Sequence, residues 1–236
     1  MRKWTFQSEA TAKAIAELVA SGQQIPELVL PEGSILKRHQ WRKYQSAIHF
    51  SAPDEAEKCG RFNPPGGKIA VWYAADSALT AMAESYGRMF HLAGKIAWPE
   101  SALDQHYLCA VKVTREIKVI DVIRLCELLH IPLDSLENER YDLPQWLMAH
   151  LFALYQDKYA GIAYCSRHCR YLRCYAFWQA PESDGLFSDF PQGMATISQY
   201  REYDTNLFPP GWRQPWMAGD HMLELLLNFE IISEMD

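Results

Sequence analysis

A chain of 236 residues, 49% hydrophobic and 22% charged, can bury a core without disulfide or metal staples, and its composition excludes extended disorder. Its net charge of −6 comes with no basic block, which argues against a partner held by its phosphate backbone. No apolar run approaches the roughly 20 residues that cross a bilayer, and Met1-Arg2-Lys3 leads into Trp4, Gln7 and Glu9 rather than an apolar signal segment, so the expected location is cytoplasmic.

Ala10, Ala14, Ile15, Leu18 and Val19 space a helix across residues 8–22, stopped by Gly22. Pro26 and Pro31 enforce an extended crossing, followed by short strands at 35–38 and 46–51. A polar loop rich in proline and glycine fills 52–67. Residues 69–75, IAVWYAA, predict a strand buried on both faces, and Asp76 stands where it can cap a helix over 77–90. Strands at 107–113 and 117–122 read as a pair around Thr114-Arg115. A helix is expected over 143–159, with Pro144 in its first turn, then a strand pair at 161–165 and 173–178. Beyond Ala180 the chain reads as irregular up to a helix over 217–227 and a last strand at 229–232. Strand pairs with inserted helices predict the α+β class, and no GxGxxG follows a first strand to support a Rossmann fold.

The six cysteines, at 59, 109, 126, 165, 169 and 174, read as reduced thiols in that compartment. Cys165, His168, Cys169 and Cys174 crowd together, but their spacing is not that of a zinc knuckle and a second ligand pair is missing. Small buried or half-buried thiols are the favoured reading.

Candidate chemistry concentrates between Arg38 and Glu84. In the loop Gly60-Arg61-Phe62-Asn63-Pro64-Pro65-Gly66-Gly67 the prolines stiffen the backbone and the glycines permit unusual angles. An arginine on such a loop can clamp an oxyanion through paired hydrogen bonds, or simply pin the loop. On the helix over 77–90, Leu79, Met82, Ala83, Tyr86 and Phe90 form the apolar side. Glu84 projects from the other side, where Ser77 and Ala81 leave space for a ligand. Spacing alone favours the plainer reading, a solvated glutamate paired with Arg88 at i+4.

The segments GRFNPPGG, VWYAA, AMAE and GIAYCSR, in that order, resemble the RES-domain family, which is named for an arginine, a glutamate and a serine. The match runs from about Ile35 to Trp178, and the family's members are mostly bacterial toxins of toxin–antitoxin pairs. Cys59 stands where a glycine is usual and Phe62 where a tryptophan is usual. After Ser166, Arg-His-Cys-Arg replaces a stretch that contains Asn in many members. On this resemblance Arg38, Glu84 and Ser166 are the catalytic positions, and Arg61, Tyr73, Asn63 and Arg167 belong to the ligand pocket.

The resemblance implies an ADP-ribosyltransferase-like fold: two small, mostly antiparallel sheets flanking a cleft for bent NAD⁺, with peripheral helices. It implies a catalytic core over 34–180, a helical extension at 1–33 and a C-terminal extension at 181–236 packed on the core. It further implies NAD⁺ as substrate, its nicotinamide–ribose bond cleaved by phosphorolysis with inorganic phosphate or by hydrolysis, without a metal, and an antitoxin as partner. Glu84 would steady positive charge at the ribose, Arg38 and Arg61 would hold pyrophosphate or phosphate, Tyr73 would border the nicotinamide, and Ser166 would position the substrate. A protein mono-ADP-ribosyltransferase and a silent nucleotide- or partner-binding module stay open as alternatives. His39 and His168, beside matched positions, are either structural or in touch with ligand. The aromatic-rich segment 187–216 either covers the cleft, receives an antitoxin, or is an ordered surface loop.

Overall fold

The computed structural model describes residues 6–93, 95–137, 141–168 and 171–233. The chain begins with helix α1 (Phe6–Ala20), strands β1 (Glu27–Leu30), β2 (Ile35–Gln40) and β3 (Val71–Ala75), and helix α2 (Ala78–Ala93). Strands β4 (Ile96–Pro99), β5 (Tyr107–Val113) and β6 (Ile117–Asp121) lead to helices α3 (Val122–Leu128) and α4 (Asp142–Tyr155). After them come β7 (Gly161–Cys165), β8 (Arg173–Trp178), β9 (Phe187–Thr196), β10 (Arg201–Glu202) and β11 (Met217–Ala218). A helical stretch, α5 (Gly219–His221) continued by a π turn (Met222–Leu226), precedes β12 (Phe229–Ile232).

Eight strands form one sheet in the order β1-β6-β7-β8-β3-β2-β5-β9, antiparallel throughout except where β6 meets β7. Two-stranded ribbons β10–β11 and β4–β12 complete the described strands. The α+β class holds; in place of two separate small sheets there is this single mostly antiparallel one. Its shape follows from one bent ribbon. β1 pairs with β6 and β2 pairs with β5, while Gly33 N–H donates to Val113 O (2.8 Å) and Val113 N–H to Ser34 O (2.9 Å) across the corner. Gly33 takes φ +87° there, a left-handed angle that suits glycine. Consequently β5 and β6 do not pair with each other, and residues 114–116 are a corner rather than the expected hairpin turn. Thr114 N–H goes to Leu186 O instead. Because β1–β2 and β5–β6 each continue through this corner, the sheet curls back on itself.

Residues 46–51 are no strand: only Ser51 bridges, to Val71, and side chains satisfy the backbone before it. Ala47 N–H donates to Asp189, Ile48 N–H to Ser46 Oγ, and the Trp72 indole donates to Ala47 O (2.8 Å). The stretch after Ala180 contains β9, a ten-residue strand on β5, disguised by Pro191 and Gly193 and by a bulge between Cys109 and Val111. Segment 187–216 therefore starts as a sheet edge and is not simply a surface loop. The helix expected over 217–227 begins as β11, and just after it Gly219 lies so close to Ile197 O that a Cβ would sit 2.3 Å away. Helix α2 is capped by Ser77, whose Oγ accepts from Thr80 N–H, while Asp76 accepts the Tyr175 hydroxyl at 2.6 Å.

β3 is buried on both faces, as its continuous apolar run predicts. Trp72 and Ala74 face the inside of the curl, with Trp72 stacked on Phe177 at 5.2 Å; Val71 and Ala75 face α1 and α4. α2 buries Leu79, Met82, Ala83 and Tyr86 against Trp98, Met222, Leu223 and Phe229. That packing turns Ala81, Glu84 and Ser85 towards a cavity. Among the described residues no helix is long and apolar enough to cross a membrane.

Candidate active site

The cavity, about 480 Å³, opens between α2, the ends of β2 and β3, and the loop around Gly60. Glu84 is held on its wall by three donors. Arg61 Nη2 reaches Oε2 at 3.0 Å; Ser166 Oγ and Arg167 N–H reach Oε1 at 2.9 and 3.0 Å. The plainer expectation of a solvated glutamate is thereby overturned, since the Glu84 side chain is only 20% exposed and that of Arg61 only 6%. The side chains of Arg88 and Phe90 lie outside the described residues.

Each donor is itself fixed. Burial is the largest influence on Arg61 and opposes its charge, but Glu84 together with Tyr164, Cys174 and Tyr141 outweighs it, so the guanidinium is held above its ordinary value. Its Cζ lies over the Tyr164 ring, 5.3 Å from the centroid. Ser166 is fully buried behind Glu84 just past the end of β7, with its oxygen also accepting from His168 N–H. Ser166 does not line the cavity, which makes it a support for the carboxylate. Arg167 lines the cavity, ties Nη1 to Glu137 O at 3.2 Å, and leaves Nε buried without a hydrogen bond.

The loop carrying Arg61 is pinned from several sides. Tyr73 OH accepts the Phe62 N–H at 2.8 Å, Gln145 donates to Gly60 O, and Asn63 Nδ2 donates to Ser51 O at 2.9 Å. A Cβ at Gly60 would meet Tyr73 OH at 2.8 Å and Asn63 Oδ1 at 2.9 Å, so a larger residue would push on the two side chains that pin the loop. Tyr73 lines the cavity, and burial holds its phenol above the ordinary value. Asn63 does not line the cavity, and its observed contacts are those of a loop pin.

Arg38 also lines the cavity. Burial pulls its guanidinium below the ordinary value, and Nη1 is buried with no hydrogen-bond partner, a state an incoming anion would relieve. Next to it, His39 borders the cavity but bonds only to protein. Its Nε2 lies 2.9 Å from Tyr86 OH and 3.2 Å from His106 Nδ1, and Tyr86 OH lies 3.0 Å from that same His106 nitrogen. Burial, then His106 and Arg38, push His39 down to about 3, so the cluster is neutral.

Lys37, Trp41, Tyr141, Tyr164 and Cys174 line the cavity too and were not read from the sequence as pocket residues. Alternation offered one clue: Tyr164 and Cys174 are paired across β7 and β8 and share a face, whereas the next pair, Cys165 with Arg173, points to the other. The same alternation separates Cys165 from Cys174, against a shared metal; Cys169 lies outside the described residues.

A family model described as the RES domain matches residues 35–198, about two thirds of the chain. The chain belongs to the RES-domain family. Among solved structures, a chain of the M. tuberculosis MbcT–MbcA toxin–antitoxin complex superposes on this RES protein with a TM-score of 0.55 at 15% identity. That match covers 80% of this chain and 92% of the other, a likeness of fold. No curated protein matches. Within this RES domain the residues expected at the site are thus sorted by geometry. Glu84, Arg61, Ser166 and Arg167 form one bonded unit, Arg38 and Tyr73 line the same cavity, and Asn63 braces the loop from outside it.

Proposed function

We propose that the protein cleaves the nicotinamide–ribose bond of NAD⁺ and passes the ADP-ribose to inorganic phosphate, or to water. The observation that carries this reading is Glu84, a carboxylate steadied by three donors on the wall of a cavity that also contains the underpaired Arg38. In the reaction the bond from ribose C1′ to the pyridinium nitrogen breaks, and its electron pair neutralises the ring, which leaves as nicotinamide. Positive charge builds at C1′, and a fixed carboxylate lowers its energy because it needs no reorientation. A phosphate oxygen then bonds C1′ to give ADP-ribose 1″-phosphate; with water the product is ADP-ribose and a proton. Arg38 and Arg167 are suited to the pyrophosphate or the attacking phosphate, since each has a buried guanidinium nitrogen without a partner.

We further propose a toxin role with a protein antitoxin, supported by family membership and by the fold shared with a chain of a toxin–antitoxin complex. The test is to incubate purified protein with NAD⁺, with and without phosphate, and identify products by mass spectrometry. Nicotinamide with ADP-ribose 1″-phosphate is the expected result, and plain ADP-ribose identifies a hydrolase. Intact NAD⁺ in both reactions overturns the reading and directs attention to a protein acceptor.

A further inference from the structure

The exposed indole of Trp41 lines the same cavity as Glu84 and is not among the partners hydrogen-bonded to it. Trp41 is 51% exposed, unusual for a side chain so firmly set. Its ring meets His39 at 5.5 Å, Tyr86 at 5.5 Å and His106 at 4.9 Å, all edge-on. Those three are locked to one another by hydrogen bonds and backed by Trp98, which packs on both Tyr86 and His106. One side of the indole is therefore fixed by a buried, neutral cluster while half of its surface is exposed. A rigid aromatic surface at a cavity mouth suits a flat ring, because stacking there costs little ordering of the protein.

Its position says which ring. Tyr86 and Glu84 are two residues apart on α2, a spacing that sends side chains to different faces of a helix. Trp41 packs on the Tyr86 side, whereas Arg61 and Ser166 hold Glu84 on the other. On the reading of NAD⁺ as substrate the reacting ribose lies against Glu84. Of the two flat rings that could rest on Trp41, its place on the Tyr86 side favours the adenine at the far end over the nicotinamide at the reacting one. Lys37 and Arg38, on the strand just before Trp41, supply cations for the phosphates between the two ends.

We propose that Trp41 is the stacking platform for the adenine base of the substrate and sets the preference for a dinucleotide over a mononucleotide. The proposal rests on the reading of NAD⁺ as substrate. Its test compares wild type, Trp41→Leu and Trp41→Phe with NAD⁺ and with nicotinamide mononucleotide, which has the same scissile bond and no adenine. Trp41→Leu should raise KM for NAD⁺ about tenfold, in line with the loss of one base–aromatic stack. It should leave kcat for NAD⁺ and kcat/KM for the mononucleotide unchanged, and Trp41→Phe should recover most of the affinity. Equal losses on both substrates, or no change on either, overturn the platform.

Should wild type cleave neither compound, the catalytic reading falls and the platform is judged separately, by calorimetric titration with ADP-ribose. Tenfold weaker binding to Trp41→Leu than to wild type supports it. Equal binding, or no binding to wild type, overturns it.

Discussion

The two faces of α2 solve the problem of burying polar groups in opposite ways. On one face, Glu84 keeps its partner charge, with Arg61 paired to it and Ser166 and Arg167 N–H completing its contacts. On the other, His39 Nε2, Tyr86 and His106 bond one another, His39 Nδ1 is buried without a hydrogen bond, and the cluster stays neutral. Desolvating an ion pair is expensive, and an apolar replacement is often at least as stable, so the charged face is poorly explained by stability. It is explained by the cavity it borders. The neutral face touches that cavity only through His39, and its Tyr86 is fully buried. Charge is retained on the carboxylate at the cavity wall and is absent from the cluster that reaches the cavity only at its edge.

Four substitutions break or sharpen this contrast. Glu84→Gln keeps the shape but removes the charge and one of the two accepting oxygens, so its amide oxygen can still serve Ser166 and Arg167 N–H while Arg61 loses its acceptor. Turnover of NAD⁺ should fall about 10²- to 10³-fold, comparable to losing one transition-state contact. Steady-state kinetics checks this, and unchanged turnover would remove Glu84 from the chemistry.

The neutral face answers to pH. Because the folded state holds His39 near 3, below the ordinary 6.5, the unfolded chain binds more protons between those values. Stability is then complete above about pH 6.5 and declines on acidification towards pH 3, at roughly 1.4 kcal/mol per pH unit for one histidine. Between pH 6.5 and 5 the loss should be about 2 kcal/mol. His39→Gln, which does not titrate, should flatten that limb in denaturant unfolding series; an unchanged slope would assign it to other groups.

Ser166→Ala removes a donor from the Glu84 carboxylate and should cost about 1.5 kcal/mol in stability, with a rate loss near tenfold. Thermal melts and kinetics together test it, and a stability loss without a rate loss would confine Ser166 to the fold. Smallest is Tyr73→Phe, which strands the Phe62 N–H. About 1 kcal/mol of destabilisation is expected, with KM rising more than kcat falls as the Arg61 loop loosens. A pure kcat effect would instead put the Tyr73 hydroxyl at the reacting centre.

Strands β7 and β8 were legible to the residue, because short apolar runs bounded by polar stretches permit few other readings. Helix α2 and the double burial of β3 were legible for the same reason. The pairing of β5 with β6 was misread because proximity in sequence suggests a hairpin, and nothing local records that Gly33 and Val113 close a corner instead. β9 was missed because proline and glycine within a strand imitate a loop. At the site, residue types and the family pattern pointed to Glu84, Arg61, Ser166, Arg38 and Tyr73. They could not distinguish a cavity-lining arginine from a loop-pinning asparagine two positions later.

Local pattern, then, sufficed for the elements that bury apolar faces and for the candidate chemistry, since periodicity and residue type act over a few neighbours. The partners of Glu84 lie 23, 82 and 83 residues away, and those of His39 lie 47 and 67 away. Only the curled sheet and the packing of α2 bring such residues together. Whether a buried polar group keeps its charge depends on the dielectric and the donors it meets there, which no stretch of chain carries by itself.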